Sequence, residues 1–118
     1  MTNPKKKFFL PGDKITTLAR GYGACIATDW IMVHGRKVGY MYREPPDNDV
    51  DSGWRFMAGN ETDEYMDEPG NHGVYDVNTV ANYDPDIIPL LRSPAGSAFA
   101  RDPKTGEFVE EPFEPPTE

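Results

Sequence analysis

The groups best suited to chemistry in this chain are carboxylates, and their densest run is Asp47-Asn48-Asp49-Val50-Asp51-Ser52-Gly53. Acids at alternating positions supply the oxygen ligands that open a calcium loop at positions 1, 3 and 5. The rest of that pattern fails. Position 6 needs glycine and holds Ser52, and position 12 needs glutamate and holds Ala58. The expectation is a solvated acidic loop that binds no divalent ion, with no metal ligand and no cofactor assigned. Nucleophilic chemistry has less to draw on. Cys25 is the single cysteine and lies in an apolar run, where a thiol behaves as a small inert hydrophobe. His34 and His72 fall in glycine-containing stretches and form no zinc spacing with it. Gly21-Tyr22-Gly23-Ala24 precedes a strand instead of following one, the wrong context for a dinucleotide fingerprint. Twenty carboxylates always contain acid pairs, so their presence selects no glycoside chemistry. No catalytic residue is assigned, and a metal-assisted hydrolase built on the acidic loop stands only as the alternative.

The net charge of −8 is unevenly distributed. Residues 1–43 carry eight Lys or Arg against Asp13 and Asp29, a balance of +6, and residues 44–118 carry four against eighteen acids, a balance of −14. Such a surface repels nucleic-acid phosphates and anionic membranes and attracts a basic partner. The segment Lys5-Lys6-Lys7-Phe8-Phe9-Leu10 imitates the start of a signal peptide, but its apolar run stops at Pro11-Gly12. A signal peptide needs about 7–15 such residues, so a cytoplasmic location is expected. The lone cysteine agrees with a reducing compartment.

These residues must be positioned by one domain, since 118 residues leave no room for two cores. Residues 1–22 are read as loosely ordered, 23–109 as the domain, and 110–118 as a disordered acidic tail rich in proline. Ala24-Cys25-Ile26-Ala27 predicts a strand continuing through Trp30-Ile31-Met32-Val33, a turn at His34–Lys37, and a returning strand over Val38–Arg43. Gly39 marks a bulge or a close backbone approach. Pro45-Pro46 ends that strand, and Trp54–Ala58 forms the next, with Trp54 and Phe56 on one face and Arg55 and Met57 on the other. A short helix is expected from Asn60 to Glu68, and a second from Asp76 to Tyr83, where Val77, Val80 and Ala81 share a face. Asp84 caps a further turn with Pro85 at its first position. Gly96–Arg101 and Glu107–Val109 close the chain as strands. The sum is an α+β fold: a small antiparallel sheet of about five strands with two or three short helices on one side.

The stretch Val38-Gly39-Tyr40-Met41-Tyr42-Arg43-Glu44-Pro45-Pro46-Asp47-Asn48, with Asp51-Ser52-Gly53-Trp54-Arg55-Phe56, resembles the bacterial family catalogued as domain of unknown function 2185, also classed as immunity protein family 33 of polymorphic toxin systems. Tyr75-Asp76-Val77-Asn78-Thr79-Val80-Ala81-Asn82-Tyr83-Asp84-Pro85 and Gly96-Ser97-Ala98-Phe99 extend the likeness, which spans about residues 23–101. The resemblance implies a cytoplasmic, non-catalytic protein that protects its producer by binding a secreted toxin, and it carries over no established site residue. An accessory protein-interaction domain without a toxin is the other non-enzymatic reading.

Charge and aromatic content then nominate partner-binding residues. Asp47, Asp49, Asp51, Asp63 and Glu64 supply the acidic surface for a basic toxin. Trp54, Arg55 and Tyr83 are of the types most often found at binding hot spots.

Overall fold

The computed structural model describes residues 6–112. Its elements run β1 (Ala24–Thr28), α1 (Asp29–Met32), β2 (Tyr40–Arg43), β3 (Asp51–Met57), α2 (Asp63–Asp67), β4 (His72–Asp76), α3 (Val77–Tyr83), β5 (Ala98–Arg101) and β6 (Phe108–Glu111). Single 3-10 turns lie at Gly12–Lys14, Pro69–Asn71 and Pro85–Leu90. Six strands form one sheet in the order β4-β1-β3-β2-β5-β6. The α+β class holds, with one strand more than the sequence suggests and one parallel pairing, β1 with β3, among antiparallel neighbours.

Period-two alternation splits the sheet into two unlike faces. Cys25, Ala27, Met41, Trp54, Phe56 and Phe99 point one way and are buried beneath Ile31 and Met32 of α1, Val77, Val80 and Ala81 of α3, and Ile87 and Leu91. This is the core. Trp54 is fully buried in it, and its indole N–H donates to the Leu91 carbonyl at 3.2 Å. The helix α3 forms where expected because Asp76 accepts from the Asn78 N–H at 2.8 Å and the apolar residues recur at helical spacing. Gly39 is the close approach anticipated for it: an added Cβ would collide with the Ala58 carbonyl.

Two local expectations are corrected. The β1 strand does not run on through Val33 into a hairpin with β2. Asp29–Met32 turns into α1, which buries the adjacent Ile31 and Met32 together, and β1 takes β3 and β4 as neighbours. A four-residue apolar run has no periodicity with which to tell these outcomes apart. His72–Asp76, given no strand from the sequence, is the edge strand β4, paired with β1 from Thr28↔His72 to Ala24↔Asp76. Edge strands are short and mixed in polarity, which hides them in sequence.

Residues 6–22 carry little regular structure but are tied to α3. Asn78 Oδ1 accepts from the Leu18 and Ala19 N–H groups at 2.7 and 2.8 Å, and Asn82 Oδ1 from the Thr16 N–H at 2.9 Å. The two asparagines lie one helical turn apart, so a single face of α3 holds the segment. At the other end β6 continues through Glu111, past the Val109 boundary expected, and residues 113–118 lie outside the described residues. Among the described residues no helix is long and apolar enough to cross a membrane.

Candidate partner-binding face

The second face of the sheet is flanked at one end by α2, whose Met66 lies with Ile26, Arg55 and Met57. Register places Val74, Ile26, Arg55, Tyr42 and Ala98 side by side across five strands, with Met57, Tyr40, Ala100 and Val109 in the adjacent row. Arg55 is central and almost wholly buried, held flat by the loop that crosses from β2 to β3. Its Nε donates to Glu44 Oε2 at 2.7 Å, and Nη1 and Nη2 donate to the two oxygens of Asp51 at 3.0 and 2.9 Å. Asp47 adds a longer ion pair at 3.8 Å. One guanidinium thus clamps the acidic loop at both ends, the bidentate geometry for which arginine is suited.

The backbone completes the clamp. Asp51 also accepts from the Asp47 and Gly53 N–H groups at 2.9 and 3.0 Å, and Asn48 Oδ1 accepts from Val50 and Asp51 at 3.0 Å. Gly53 has φ +87° and faces the Glu44 carbonyl so closely that a Cβ could not fit. Of the alternating acids that resemble half a calcium loop, Asp51 is therefore turned toward a guanidinium and backbone amides, while Asp47 and Asp49 stay exposed. Among the described residues no group of three or more His, Cys, Asp or Glu is arranged to hold a metal ion.

These contacts set the titration of the site. The hydrogen bonds from Arg55 hold the Asp51 carboxyl well below its ordinary range, against the opposing effect of its own burial. Burial pulls the Arg55 guanidinium down, but its bonds to Asp51 and Glu44 outweigh that and raise it. A carboxyl with a lowered folded-state pKa contributes stability above its unfolded pKa, about 3.9. That contribution disappears as pH falls toward the folded value. Asp51→Asn is therefore expected to lower the urea midpoint at pH 7 and to narrow its gap from the wild type at pH 3. A gap of equal size at both values would show that the ion pair does not govern acid stability.

The eight residues nominated from sequence divide. Asp47 and Asp49 are exposed on the loop, and Asp63 and Glu64 are exposed on α2 at the opposite end of β3. Asp51 and Arg55 meet in the clamp. Trp54 belongs to the core face and offers no surface to a partner. Tyr83 is half-buried, and its hydroxyl accepts from the Leu10 N–H at 3.1 Å and donates to the Met32 carbonyl at 3.1 Å. Both aromatics serve the fold. Cys25 is buried on the core face, where burial first and the nearby Asp76 second raise its thiol pKa. His72 is on the open face with Nε2 2.8 Å from the Met66 carbonyl, so the sheet separates this thiol from this imidazole. What sequence reasoning missed is a shallow pocket of about 170 Å³ between Ile26, Tyr42, Arg55, Met57, Met66 and His72. The alternation that put Arg55 and Met57 opposite Trp54 was its one visible signal.

This face thus combines exposed valines at its edges with a half-buried middle row and acids at both ends. The family comparison gives the domain its class. The model of the Immunity protein Imm33 domain matches residues 25–111, and the chain belongs to that family. No curated protein and no solved structure matches it.

Proposed function

We propose that this chain is a non-catalytic immunity protein that neutralises a cognate secreted toxin by direct binding in the cytoplasm of the producing bacterium. The carrying observation is the family match across nearly the whole sheet, from β1 to the end of β6. The charge distribution supports a basic toxin surface as partner, with neither nucleic acid nor membrane as ligand. Asp47 and Asp49 on the β2–β3 loop and Asp63 and Glu64 on α2 are exposed, where they can steer an approaching cation-rich surface. Complementary charge acts chiefly on the association rate, and salt screens it over a Debye length of ~8 Å at physiological ionic strength.

The test is recovery of the cognate toxin on this protein from the producing strain, identified by mass spectrometry, and then association kinetics with it at two salt concentrations. Reversing Asp47, Asp49, Asp63 and Glu64 to lysine is expected to slow association about tenfold or more and to flatten its salt dependence, with dissociation changed less. The fold should survive, because exposed substitutions of this kind usually stay within about 0.5 kcal/mol each. Absence of any complex with the wild-type protein would overturn the reading. An unchanged association rate in the folded variant would remove its electrostatic part.

A further inference from the structure

The open face carries apolar side chains where a solvated sheet face ordinarily alternates to polar ones. Val74 is 71 % exposed on β4 and Val109 51 % exposed on β6, at opposite edges of the same face. Val50, 69 % exposed, stands with Val74 over Ala24 and Ile26. Between these edges lies the pocket floored by Ile26 and Met57 and walled by Tyr42, Met66 and His72. Its 170 Å³ is close to the size of cavity, about 150 Å³, that accepts one benzene ring.

The surroundings select the occupant. The loop at one end presents Asp47 and Asp49, and α2 at the other presents Asp63, Glu64 and Asp67. The cation within the face, Arg55, is already engaged by Glu44 and Asp51. A second copy of this chain would bring the same acids against these. A small polar ligand would meet Glu44 and Arg55 already bonded to each other at 2.7 Å. A basic protein surface fits both features.

We infer that the open sheet face is the toxin-docking surface, and that a basic segment of the toxin seats one apolar or aromatic side chain in the Ile26–Met57–Met66 pocket with its lysines or arginines toward the flanking acids. This rests on the toxin-binding reading above. The pocket fixes where the toxin sits and slows its departure, while the acids govern how fast it arrives. An aromatic anchor would also lie against the guanidinium of Arg55, a favourable pairing.

The experiment measures, by calorimetry, the dissociation constant for the toxin recovered on this protein from the producing strain. The double variant Met57→Gln/Met66→Gln keeps side-chain size and net charge while making the pocket polar. Its expected effect is about 30-fold weaker binding, the loss of one hot-spot anchor. Val74→Lys changes a residue that is mostly in solvent, so it keeps the fold and decides the matter if the double variant unfolds; at least about tenfold weakening is expected from it. Leu18→Ser, on the segment held by α3, should bind as the wild type. If the wild type binds and the open-face variants bind equally well, or only Leu18→Ser weakens binding, the docking surface is wrong and the immunity reading stands. If the wild type itself does not bind, that reading fails and this inference with it.

Discussion

Arg55→Ala is expected to destabilise the domain by about 3–5 kcal/mol, the range found when one partner of a buried ion pair is removed. The guanidinium side chain is 6 % exposed and its principal partner Asp51 10 %, so their charges are largely withdrawn from water. Without Arg55, Asp51 keeps its amide donors but loses its cation, and Glu44 loses its shortest contact. Against a total stability of about 5–15 kcal/mol, that loss leaves a protein near its unfolding midpoint. Arg55→Lys should recover only part of it, because an ammonium cannot span both oxygens of Asp51 while also reaching Glu44. Urea unfolding of the three proteins at pH 7 measures this directly. A cost below about 1 kcal/mol for Arg55→Ala would mean that the clamp is an exposed pair in effect and adds little.

Asp84→Ala should be as severe, for a different reason. Its carboxylate is fully buried and joins three pieces of chain, residues 37–38, 84–86 and 101. One oxygen accepts from the Val38 N–H at 3.0 Å and from Arg101 Nη2 at 2.7 Å, and the other from the Asp86 N–H at 3.1 Å. Lys37 approaches at 3.8 Å from solvent. Alanine would orphan a buried backbone donor, uncap the Pro85–Leu90 turn and leave Arg101 with only Asp86 as its acid. A loss of about 3–5 kcal/mol is expected. Asp84→Asn should lose less, since its amide oxygen still serves as an acceptor. Arg101 also donates to the Gly106 carbonyl and lies 4.3 Å from the Phe108 ring centroid, so amide exchange in β6 should accelerate before that in β3. Equal stability of Asp84→Ala and wild type would show that the turn and strands hold without this junction.

The parts of this fold legible in sequence are those whose stabilising signals are local. Asp76 and the Val77, Val80, Ala81 spacing announce α3 within eight residues, and Trp54-Arg55-Phe56-Met57 announces both faces of β3. The neighbours of β1 could not be read, because Ile26 meets Arg55 on one side and Val74 on the other, and no short-range pattern encodes either contact. The candidate site was half legible for the same reason. Sequence marked the acids and their excess charge. Only tertiary structure revealed that Arg55 faces back onto Glu44 and Asp51, that Trp54 faces the core, and that Met57 and Met66 line one pocket with Ile26.

The position of β1 also has a consequence for synthesis. Both strands that flank it, β3 and β4, are made after it, so the nascent chain emerges with β1 open along both edges. The β3 edge cannot close until residue 57 has left the ribosome, nor the β4 edge until residue 76, and pairings this distant in sequence form slowly compared with local helices. The row that sets Val74, Ile26 and Arg55 side by side therefore exists only after β4, the later of the two neighbours, has docked.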